Sequence, residues 1–355
     1  MQAIQKQSTA VGLTFLTDAP TPQIVHSDEV LVRVKAAGIC GTDVDIYRAD
    51  PPLMNRMRDK LPVITGHEFC GEIEAIGNGV TGLSVGDFVS AEMHIICGVC
   101  HNCRTGNGQW CLNTVVRGID GPGAFADHIV LPARSVIPLP SDLPVDIAAY
   151  LDAIGNAVHT VRAVDVVGKD ILILGAGPMG IMATALCRLM GARRIYASDI
   201  HDSMLKMAKE EGADAVFNVR DEAQQKELYK VCKSDPRKKG VDVVMELSGH
   251  GPAYRDAFNS IRIGGEMALL GLPRGDIAVN FSQDVVFKGL TIKAITGRKI
   301  FSTWIDMLAL LEGKFRDTCR HIITHRFALA EFEKGFNTKL HGEGLKVILT
   351  PNAGH

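Results

Sequence analysis

Four cysteines lie close together in a hydrophilic stretch of the sequence. They follow the spacing C-x2-C-x2-C-x7-C: Cys97, Cys100, Cys103 and Cys111. Four thiolates close a tetrahedral zinc shell and leave no position open for a substrate, so this spacing predicts a structural zinc. An iron–sulfur cluster also takes four cysteines, but the last cysteine lies too far along the chain and no proline follows it.

A second set of possible metal ligands comes from two separate motifs. GICGTD places Cys40 directly after an apolar segment, and GHEF places His67 beside Glu68. A thiolate, an imidazole and a carboxylate are the three protein ligands that leave zinc a fourth, exchangeable position, where an alcohol oxygen could bind. Taken alone this set is weak evidence, because a single histidine is more often a hydrogen-bonded residue of the core than a metal ligand.

Asp152 is a further carboxylate of interest because it lies in the otherwise apolar stretch YLDAIGNAVHT. An unpaired charge would be costly to bury there. We expect it to be a metal ligand, a proton carrier or a hydrogen-bond partner of a ligand, and the sequence leaves these three open.

A glycine-rich turn predicts a dinucleotide site. Gly175, Gly177 and Gly180 form GAGPMG between the apolar run DILIL and a predicted helix over residues 178–190. In this context the turn lets a pyrophosphate approach the helix N-terminus. Asp199 ends the next predicted strand about 20 residues on, where a carboxylate binds the adenosine ribose and repels a 2′-phosphate. NAD is therefore favoured over NADP, although Arg193, Arg194 and His201 are nearby in sequence.

The elements that must position these residues change character near residue 155. Up to that point short β-branched runs are broken by Gly, Pro and Asp, which is typical of a compact β-barrel. From residue 156 apolar strands alternate with helices, which is the βαβ pattern of a parallel sheet. We expect a catalytic domain over 1–155, completed by 296–355, and a dinucleotide-binding domain over 156–295.

Composition narrows the classes of partner. The 355 residues include 38 Lys+Arg and 40 Asp+Glu, a formal net charge of −2, so we expect neither nucleic acid nor a membrane surface as a partner. No apolar stretch is long enough to span a bilayer, and MQAIQKQSTAVG lacks the profile of a secretory signal. The expected location is the cytoplasm.

Together these motifs make the chain resemble the zinc-containing medium-chain alcohol dehydrogenases, over essentially its whole length. The resemblance implies an α/β protein in which a GroES-like β-barrel catalytic domain is joined to a doubly wound parallel-sheet (Rossmann) domain. It also implies NAD, two zinc ions per chain and a homo-oligomer, a tetramer or a dimer. Within the family, FKGLTIKAITGR and IITHRF are similar to segments of the L-threonine 3-dehydrogenases.

The resemblance also implies roles for single residues. Cys40, His67 and Glu68 would bind the catalytic zinc, with Asp152 as a further carboxylate that could exchange with Glu68. Thr42 would begin a proton relay, and His94 would face the substrate. Cofactor contacts would come from the glycine turn and the segments that follow later strands: Gly175, Gly177, Pro178, Met179, Gly180, Asp199, Leu270, Gly271, Leu272, Ile295 and Thr296.

Three positions depart from the threonine dehydrogenase pattern. Those enzymes usually carry His where this chain has Asp45, Arg where it has Met204, and Tyr where it has Thr296. Asp titrates near 4 and His near 6.5 when unperturbed, so the first change removes a base of the neutral range from the end of the relay. Asp45 could still accept a proton, or bind a hydroxyl or an amine of the substrate.

These features predict zinc-dependent, NAD-linked oxidation of a small secondary alcohol. The resemblance favours L-threonine, with 2-amino-3-oxobutanoate as product. The alternative substrate is a polyol, an inositol-like compound or an aminosugar, for which Asp45 is a natural hydroxyl or amine acceptor. A non-catalytic NAD-responsive or zinc-binding module is a third possibility, but it does not explain why Cys40, Thr42, His67 and Glu68 occur together.

Overall fold

The computed structural model describes residues 1–351, so the last four positions of the predicted segment 296–355 lie outside the described residues. The chain divides into two compact units. Unit 1 is Met1–Ala153 together with the chain from Cys319 onward, and unit 2 is Ile154–Thr318. Residues 296–318, predicted to lie with the first domain, therefore belong to unit 2. Within that unit Arg298 donates to Asn156 Oδ1 at 3.2 Å and lies over the buried Trp304 ring.

Eighteen strands are formed. They are β1 (Ala3–Lys6), β2 (Thr14–Leu16), β3 (Glu29–Ile39), β4 (Val63–Ile64), β5 (Phe69–Ile76), β6 (Phe88–Ala91), β7 (His94–Ile95), β8 (Val115–Val116), β9 (His128–Pro132), β10 (Val136–Pro138), β11 (Asp170–Leu174), β12 (Arg194–Asp199), β13 (Ala215–Asn218), β14 (Val241–Glu246), β15 (Ile261–Leu269), β16 (Thr291–Ala294), β17 (Ile323–Ala328) and β18 (Lys346–Thr350), all within residues 1–351.

The same part of the chain forms twelve α-helices. They are α1 (Gly41–Tyr47), α2 (Pro51–Met57), α3 (His101–Arg104), α4 (Val145–Ala148), α5 (Leu151–Arg162), α6 (Pro178–Leu189), α7 (Asp202–Glu210), α8 (Glu222–Cys232), α9 (Gly251–Ser260), α10 (Ser302–Leu311), α11 (Phe315–Ile322) and α12 (Phe332–Leu340). None of the described helices is long and apolar enough to cross a membrane.

Unit 1 is built on a mostly antiparallel sheet in the order β10-β6-β5-β3-β18-β17, with β9 also paired to β3. Along the first part of β3 buried side chains alternate with more exposed ones, as a strand with one face on the core requires. The buried face contributes to an apolar core that includes Val32, Val34, Phe69 and Phe125. A three-stranded sheet, β2-β1-β4, and the short pair β7-β8 complete the strands of this unit.

Unit 2 is a six-stranded parallel sheet in the order β13-β12-β11-β14-β15-β16. All five residues of β11 are buried, which explains the uninterrupted apolar run DILIL: a strand in the middle of a parallel sheet is covered on both faces. Strand order reverses between β11 and β14, and ligands bind at the carboxyl ends of the strands beside such a reversal. The Rossmann prediction is confirmed.

Candidate active site

Strand pairing brings the two separate metal-ligand motifs together. Cys40 follows the end of β3, and Glu68 immediately precedes β5. Because β3 and β5 are antiparallel, with Ala37 opposite Phe69, the end of one strand lies beside the start of the other. Ligand atoms of Cys40, His67 and Glu68 all lie within 4.8 Å of one another, and His67 and Glu68 are buried. This donor set fits a zinc ion with a fourth position for a substrate oxygen.

Asp43 supports this site from the first turn of α1. Its side chain is fully buried; Oδ2 accepts a hydrogen bond from Cys40 N at 2.9 Å, and Oδ1 lies 3.5 Å from His67 Nδ1. Burial acts to lower the pKa of His67, but Asp43 and Cys40 outweigh it and the pKa is raised well above its usual value. Metal-binding histidines typically direct their other ring nitrogen to a carboxylate, so this arrangement leaves Nε2 of His67 for the ion.

Glu68 is the third donor, and its carboxylate contacts a buried ammonium. Lys346 Nζ donates to both oxygens, at 2.7 and 3.0 Å. Burial raises the pKa of Glu68, Lys346 opposes that shift and the nearby Asp152 adds to it, and the net direction is upward. Three ionisable groups thus share one enclosed region.

Asp152 belongs to a neighbouring group of possible ligands. Its carboxylate lies within 4.8 Å of ligand atoms of Glu92 and His94, whereas Cys40, His67 and Glu68 form a group of their own. Glu92 Oε1 accepts from His94 N at 3.1 Å and lies 3.0 Å from His94 Nδ1. The three residues come from the segments around β6, β7 and the start of α5. Asp152 as an exchangeable zinc ligand stays a prediction.

Thr42 and Asp45 lie on α1, three residues apart, and both are partly exposed. Residues at this spacing share one face of a helix. Cys40 is the N-cap residue of the same helix, so the Thr42 hydroxyl and the Asp45 carboxylate come shortly after the first metal donor in the chain. This placement is compatible with a short proton path along one helix face.

The four-cysteine cluster is assembled as its spacing predicts. All four sulfur atoms lie within 4.8 Å of one another: Cys97, Cys100, Cys103 and Cys111. Cys100 Sγ lies 3.5 Å from Cys103 Sγ and 4.0 Å from Cys111 Sγ. A tetrahedral zinc with four thiolates needs sulfur–sulfur separations of about 3.8 Å, so the residues fit the ion.

Backbone groups around this cluster favour thiolates. Cys100 N lies 3.4 Å from Cys97 Sγ, and N–H groups of Val99 and Cys100 lower the pKa of Cys97 to about 6. Burial and neighbouring sulfurs instead raise the pKa of Cys103 to about 12. A bound dication would favour the thiolate form of all four cysteines.

The glycine turn of unit 2 has the backbone geometry that the close approach of a pyrophosphate requires. Gly175 has φ +94, and a Cβ on Gly180 would lie 1.9 Å from Gly175 O. Gly177 is the N-cap residue of α6, and Pro178 is the first residue of that helix. The turn therefore presents the N-terminus of α6 at the carboxyl end of β11, where a pyrophosphate can bind.

Asp199 is fixed beside this turn. Its Oδ2 accepts a hydrogen bond from Ala176 N at 2.7 Å, and its Oδ1 accepts from Ile200 N and His201 N at 2.7 and 3.0 Å. Since Oδ2 accepts a single hydrogen bond, it keeps a lone pair for a ribose hydroxyl. A cavity of about 590 Å³ adjoins the carboxylate, and its lining includes Gly175, Gly177, Asp199, His201, Met204 and Ser248.

The two arginines near Asp199 in sequence do not line this cavity. Arg193 pairs with Asp170, with Nε 2.7 Å from Oδ1, at the amino end of β11. Arg194 begins β12 and Asp199 ends it, which separates them by about 16 Å of strand. His201 is the basic side chain that does lie beside the carboxylate, with Nδ1 3.0 Å from Asp199 Oδ1.

The other predicted cofactor residues lie at the carboxyl ends of strands but outside that cavity. Leu270 and Gly271 donate backbone N–H groups to Glu246 O, each at 3.0 Å, and Ile295 N donates to Leu269 O at 2.9 Å. They follow β15 and β16, which end on the same side of the sheet as β11 and β12. The remaining members of that prediction do not line the cavity either: Pro178, Met179, Gly180, Leu272 and Thr296.

Two parts of the chain match known families. Residues 26–141 match the alcohol dehydrogenase GroES-like domain, and residues 178–313 match the zinc-binding dehydrogenases. The L-threonine 3-dehydrogenase of Proteus mirabilis is 42% identical over 349 residues, covering 98% of this chain and 99% of that protein. The chain belongs to the zinc-containing medium-chain alcohol dehydrogenase family. It is therefore an oxidoreductase that acts on CH–OH groups.

Two further comparisons agree with this family membership. The L-threonine 3-dehydrogenase of Deinococcus deserti is 42% identical over 351 residues, covering 98% of each chain. A solved structure of an alcohol dehydrogenase from Thermotoga maritima superposes with a TM-score of 0.89 at 27% identity, covering 99% of each chain. The family resemblance and the GroES-like and Rossmann fold class predicted from the sequence are confirmed.

Three residues of this medium-chain dehydrogenase site were missed from the sequence: Asp43, Glu92 and Lys346. Asp43 stands three residues after the N-cap Cys40, and this capping spacing was a signal that could have identified it. Glu92 and Lys346 carried no such signal. Lys346 meets Glu68 only through the pairing of β18 with β3, and Glu92 contacts His94, its neighbour two residues along the chain.

Proposed function

We propose that this dehydrogenase oxidises the secondary alcohol of L-threonine to 2-amino-3-oxobutanoate, with NAD as hydride acceptor. The observation that carries the chemistry is the convergence of Cys40, His67 and Glu68 within 4.8 Å. The substrate assignment is supported by relatives named L-threonine 3-dehydrogenase, which are 42% identical over nearly the whole chain.

Cys40, His67 and Glu68 would hold the catalytic zinc, with Asp152 able to exchange with Glu68. Zinc bound there supplies a Lewis acid for the substrate hydroxyl, and nicotinamide supplies the hydride acceptor. Asp43 would keep the His67 ring in the orientation and tautomer that metal binding needs. Glu92 would orient His94, which we expect to face the substrate.

Thr42 and Asp45 would carry the substrate hydroxyl proton towards solvent. The Thr42 hydroxyl both donates and accepts, which a relay step requires, and Asp45 lies on the same face of α1 as an acceptor. An aspartate in this place is a weaker base than histidine at neutral pH. Asp45 could instead accept a hydrogen bond from the substrate ammonium.

On the cofactor side, the Gly175–Gly180 turn would hold the pyrophosphate and Asp199 the adenosine ribose. A 2′-phosphate would meet the negative charge of Asp199, so NAD is preferred to NADP. The cofactor contacts proposed at Met179, residues 270–272 and residues 295–296 rest on the family resemblance.

We also propose two zinc ions per chain, a homotetramer and a cytoplasmic location. The zinc count is supported by the four-cysteine cluster and by the group of Cys40, His67 and Glu68. The homotetramer rests on the family resemblance, and the cytoplasmic location on the expectation drawn from the sequence. Metal analysis of the purified protein should give about two zinc ions per chain, for one catalytic and one structural site. Light scattering on a sizing column should give the mass of four chains.

A substrate panel with NAD tests the assignment. L-Threonine should give NADH with a higher kcat/KM than polyols, inositol or aminosugars. If polyols give NADH and threonine gives none, the threonine assignment is wrong and the polyol alternative replaces it.

Cys40→Ser tests the catalytic metal, because it removes the thiolate donor at almost constant volume. Turnover should be abolished while the circular dichroism spectrum is retained. Cys187→Ser, a buried thiol of unit 2, is the matched control and should keep turnover. Unchanged turnover in Cys40→Ser would discard the catalytic-zinc assignment.

A further inference from the structure

Lys346 is a buried cation whose role the sequence did not reveal. It begins β18, and its side chain is 5% exposed, while the Glu68 side chain beside it is 0% exposed. A lysine is almost never fully buried unless it is paired. The Lys346 ammonium must therefore be paired with other groups inside unit 1.

The Lys346 ammonium has three acceptor atoms within hydrogen-bond distance. Lys346 Nζ lies 2.7 Å from Glu68 Oε2, 3.0 Å from Glu68 Oε1 and 3.2 Å from Ile39 O. The two carboxylate oxygens lie in nearly the same direction from Nζ, so Lys346 donates to two groups, the Glu68 carboxylate and the Ile39 carbonyl. Lys346 is thus paired with protein groups on both segments.

These contacts touch each segment that carries a possible catalytic ligand. Ile39 directly precedes Cys40, and Glu68 directly follows His67. The ammonium also lies 5.3 Å from the ring centroid of Tyr150, two residues before Asp152. One side chain from the C-terminal part of the chain therefore fixes three segments that are far apart in sequence.

The backbone near Glu68 is shaped for this carboxylate. A Cβ on Gly38 would lie 2.2 Å from Glu68 Oε2 and 3.1 Å from Tyr150 Cβ, so any side chain there would displace the carboxylate. Gly38 N also donates to Glu68 O at 3.0 Å. The glycine and the lysine hold the carboxylate from two directions.

We propose that Lys346 is a positioning residue of the catalytic metal site. Its ammonium holds the Glu68 carboxylate against the end of β3, so that Glu68 gives the metal one oxygen and leaves the exchangeable position to the substrate hydroxyl. A buried carboxylate that loses this partner must find another cation, and in the loaded site its second oxygen would turn to the metal. The proposal rests on the catalytic metal site proposed above and is independent of which alcohol is the substrate.

Cobalt replacing zinc at the catalytic site, with zinc kept at the four cysteines, makes the coordination visible in the absorption spectrum. In Lys346→Met we expect the visible bands to lose intensity as the second oxygen of the Glu68 carboxylate joins the shell and raises the coordination number. kcat/KM should fall by about 10- to 100-fold, the range for residues that orient metal ligands. Lys346→Arg keeps the charge and the paired donors, and should retain the wild-type spectrum.

The double variant Lys346→Met/Glu68→Gln is the decisive arm. If Lys346 acts through Glu68, removing the lysine in the Glu68→Gln background should change the spectrum no further. This double variant also leaves no unpaired buried carboxylate, so it remains measurable if Lys346→Met alone fails to fold. A wild-type spectrum in Lys346→Met, or a spectral change that persists in the Glu68→Gln background, would overturn the proposal.

Lys339→Met tests whether the effect of Lys346 comes from its direct contact with Glu68 or only from a positive charge nearby. Lys339 is close enough to Glu68 to interact with it electrostatically, but its Nζ donates to Leu345 O at 2.6 Å. Its variant should leave the cobalt spectrum unchanged, and a change equal to that of Lys346→Met would show that charge alone accounts for the effect. If the wild-type protein shows no cobalt–thiolate band, the metal site itself is wrong, which is a different result from failure of the Lys346 proposal.

Discussion

Replacing Asp43 by Asn should weaken catalytic metal binding without removing any ligand. Asp43 is fully buried, with Oδ1 3.5 Å from His67 Nδ1 and Oδ2 2.9 Å from Cys40 N. Asparagine keeps the volume and one acceptor oxygen, so the hydrogen bond from Cys40 N can survive. The new amide group would then face His67 Nδ1 and favour the tautomer that carries its proton on Nε2, the nitrogen we assign to the metal.

The size of the effect follows from what such partners contribute. Loss of a carboxylate that orients a ligating histidine costs about 10- to 100-fold in metal affinity, or about 1.4 to 2.7 kcal/mol. Cobalt or zinc affinity of the catalytic site, measured against a competing chelator at a pH where His67 is neutral, should fall by this factor.

Asp221→Asn is the matched control for this prediction. Asp221 is also a carboxylate at the N-terminus of a helix, in unit 2. It accepts a hydrogen bond from Ala223 N at 2.8 Å and touches no metal ligand. Its variant should leave metal affinity unchanged. An Asp43→Asn affinity within about twofold of wild type would refute the view that Asp43 orients His67, since the expected loss is tenfold or more.

Three other predictions concern stability and the remaining sites. Burial acts to raise the pKa of Asp242, but backbone and basic side-chain donors outweigh it and lower the pKa to about 2. This pairing stabilises the fold above the unfolded pKa of 3.8, and the contribution is lost as pH falls towards 2. The difference in unfolding free energy between wild type and Asp242→Asn, from urea titrations, should therefore be constant above about pH 4 and shrink towards pH 2; a difference that grows on acidification would contradict it. Gly180→Ala puts a Cβ 1.9 Å from Gly175 O, so the affinity for NADH, measured by fluorescence, should fall at least about tenfold, which corresponds to about 1.4 kcal/mol of binding free energy. Unchanged affinity would show that the turn adapts. Cys103→Ser should lower the zinc content by one ion per chain and lower the melting temperature, whereas Cys232→Ser, a buried cysteine outside the cluster, should retain the zinc. Full zinc content in Cys103→Ser would show that the cluster does not hold the ion.

Local apolar pattern was sufficient for the central strands of unit 2 and insufficient at its periphery. DILIL predicted β11 with its observed ends, since every residue of that strand is buried. The apolar pattern indicates β15 only over residues 266–270, whereas the strand begins at Ile261. Its first part is hidden because Arg262, Gly264 and Gly265 interrupt the apolar pattern, and a register irregularity separates the two parts. β13 and β16 were not predicted at all.

The candidate site also has a part that the sequence predicts and a part that it does not. Motifs with fixed local spacing, such as the four cysteines and the glycine turn, predicted the groups that the structure brings together. Contacts between distant segments could not be read from spacing. Lys346 and Glu68 are separated by 278 positions and meet only because β18 pairs with β3. The location of Asp152 beside Glu92 and His94 likewise depends on where unit 1 places the first three residues of α5.

The most direct test of the catalytic-zinc assignment is a crystal structure of the purified protein with data collected on both sides of the zinc absorption edge. We predict one anomalous peak within bonding distance, about 2.0 to 2.3 Å, of Cys40 Sγ and a nitrogen of His67, and a second among the four cysteines. A peak at the cysteine cluster with none at Cys40, in protein that still oxidises its alcohol substrate, would contradict the account.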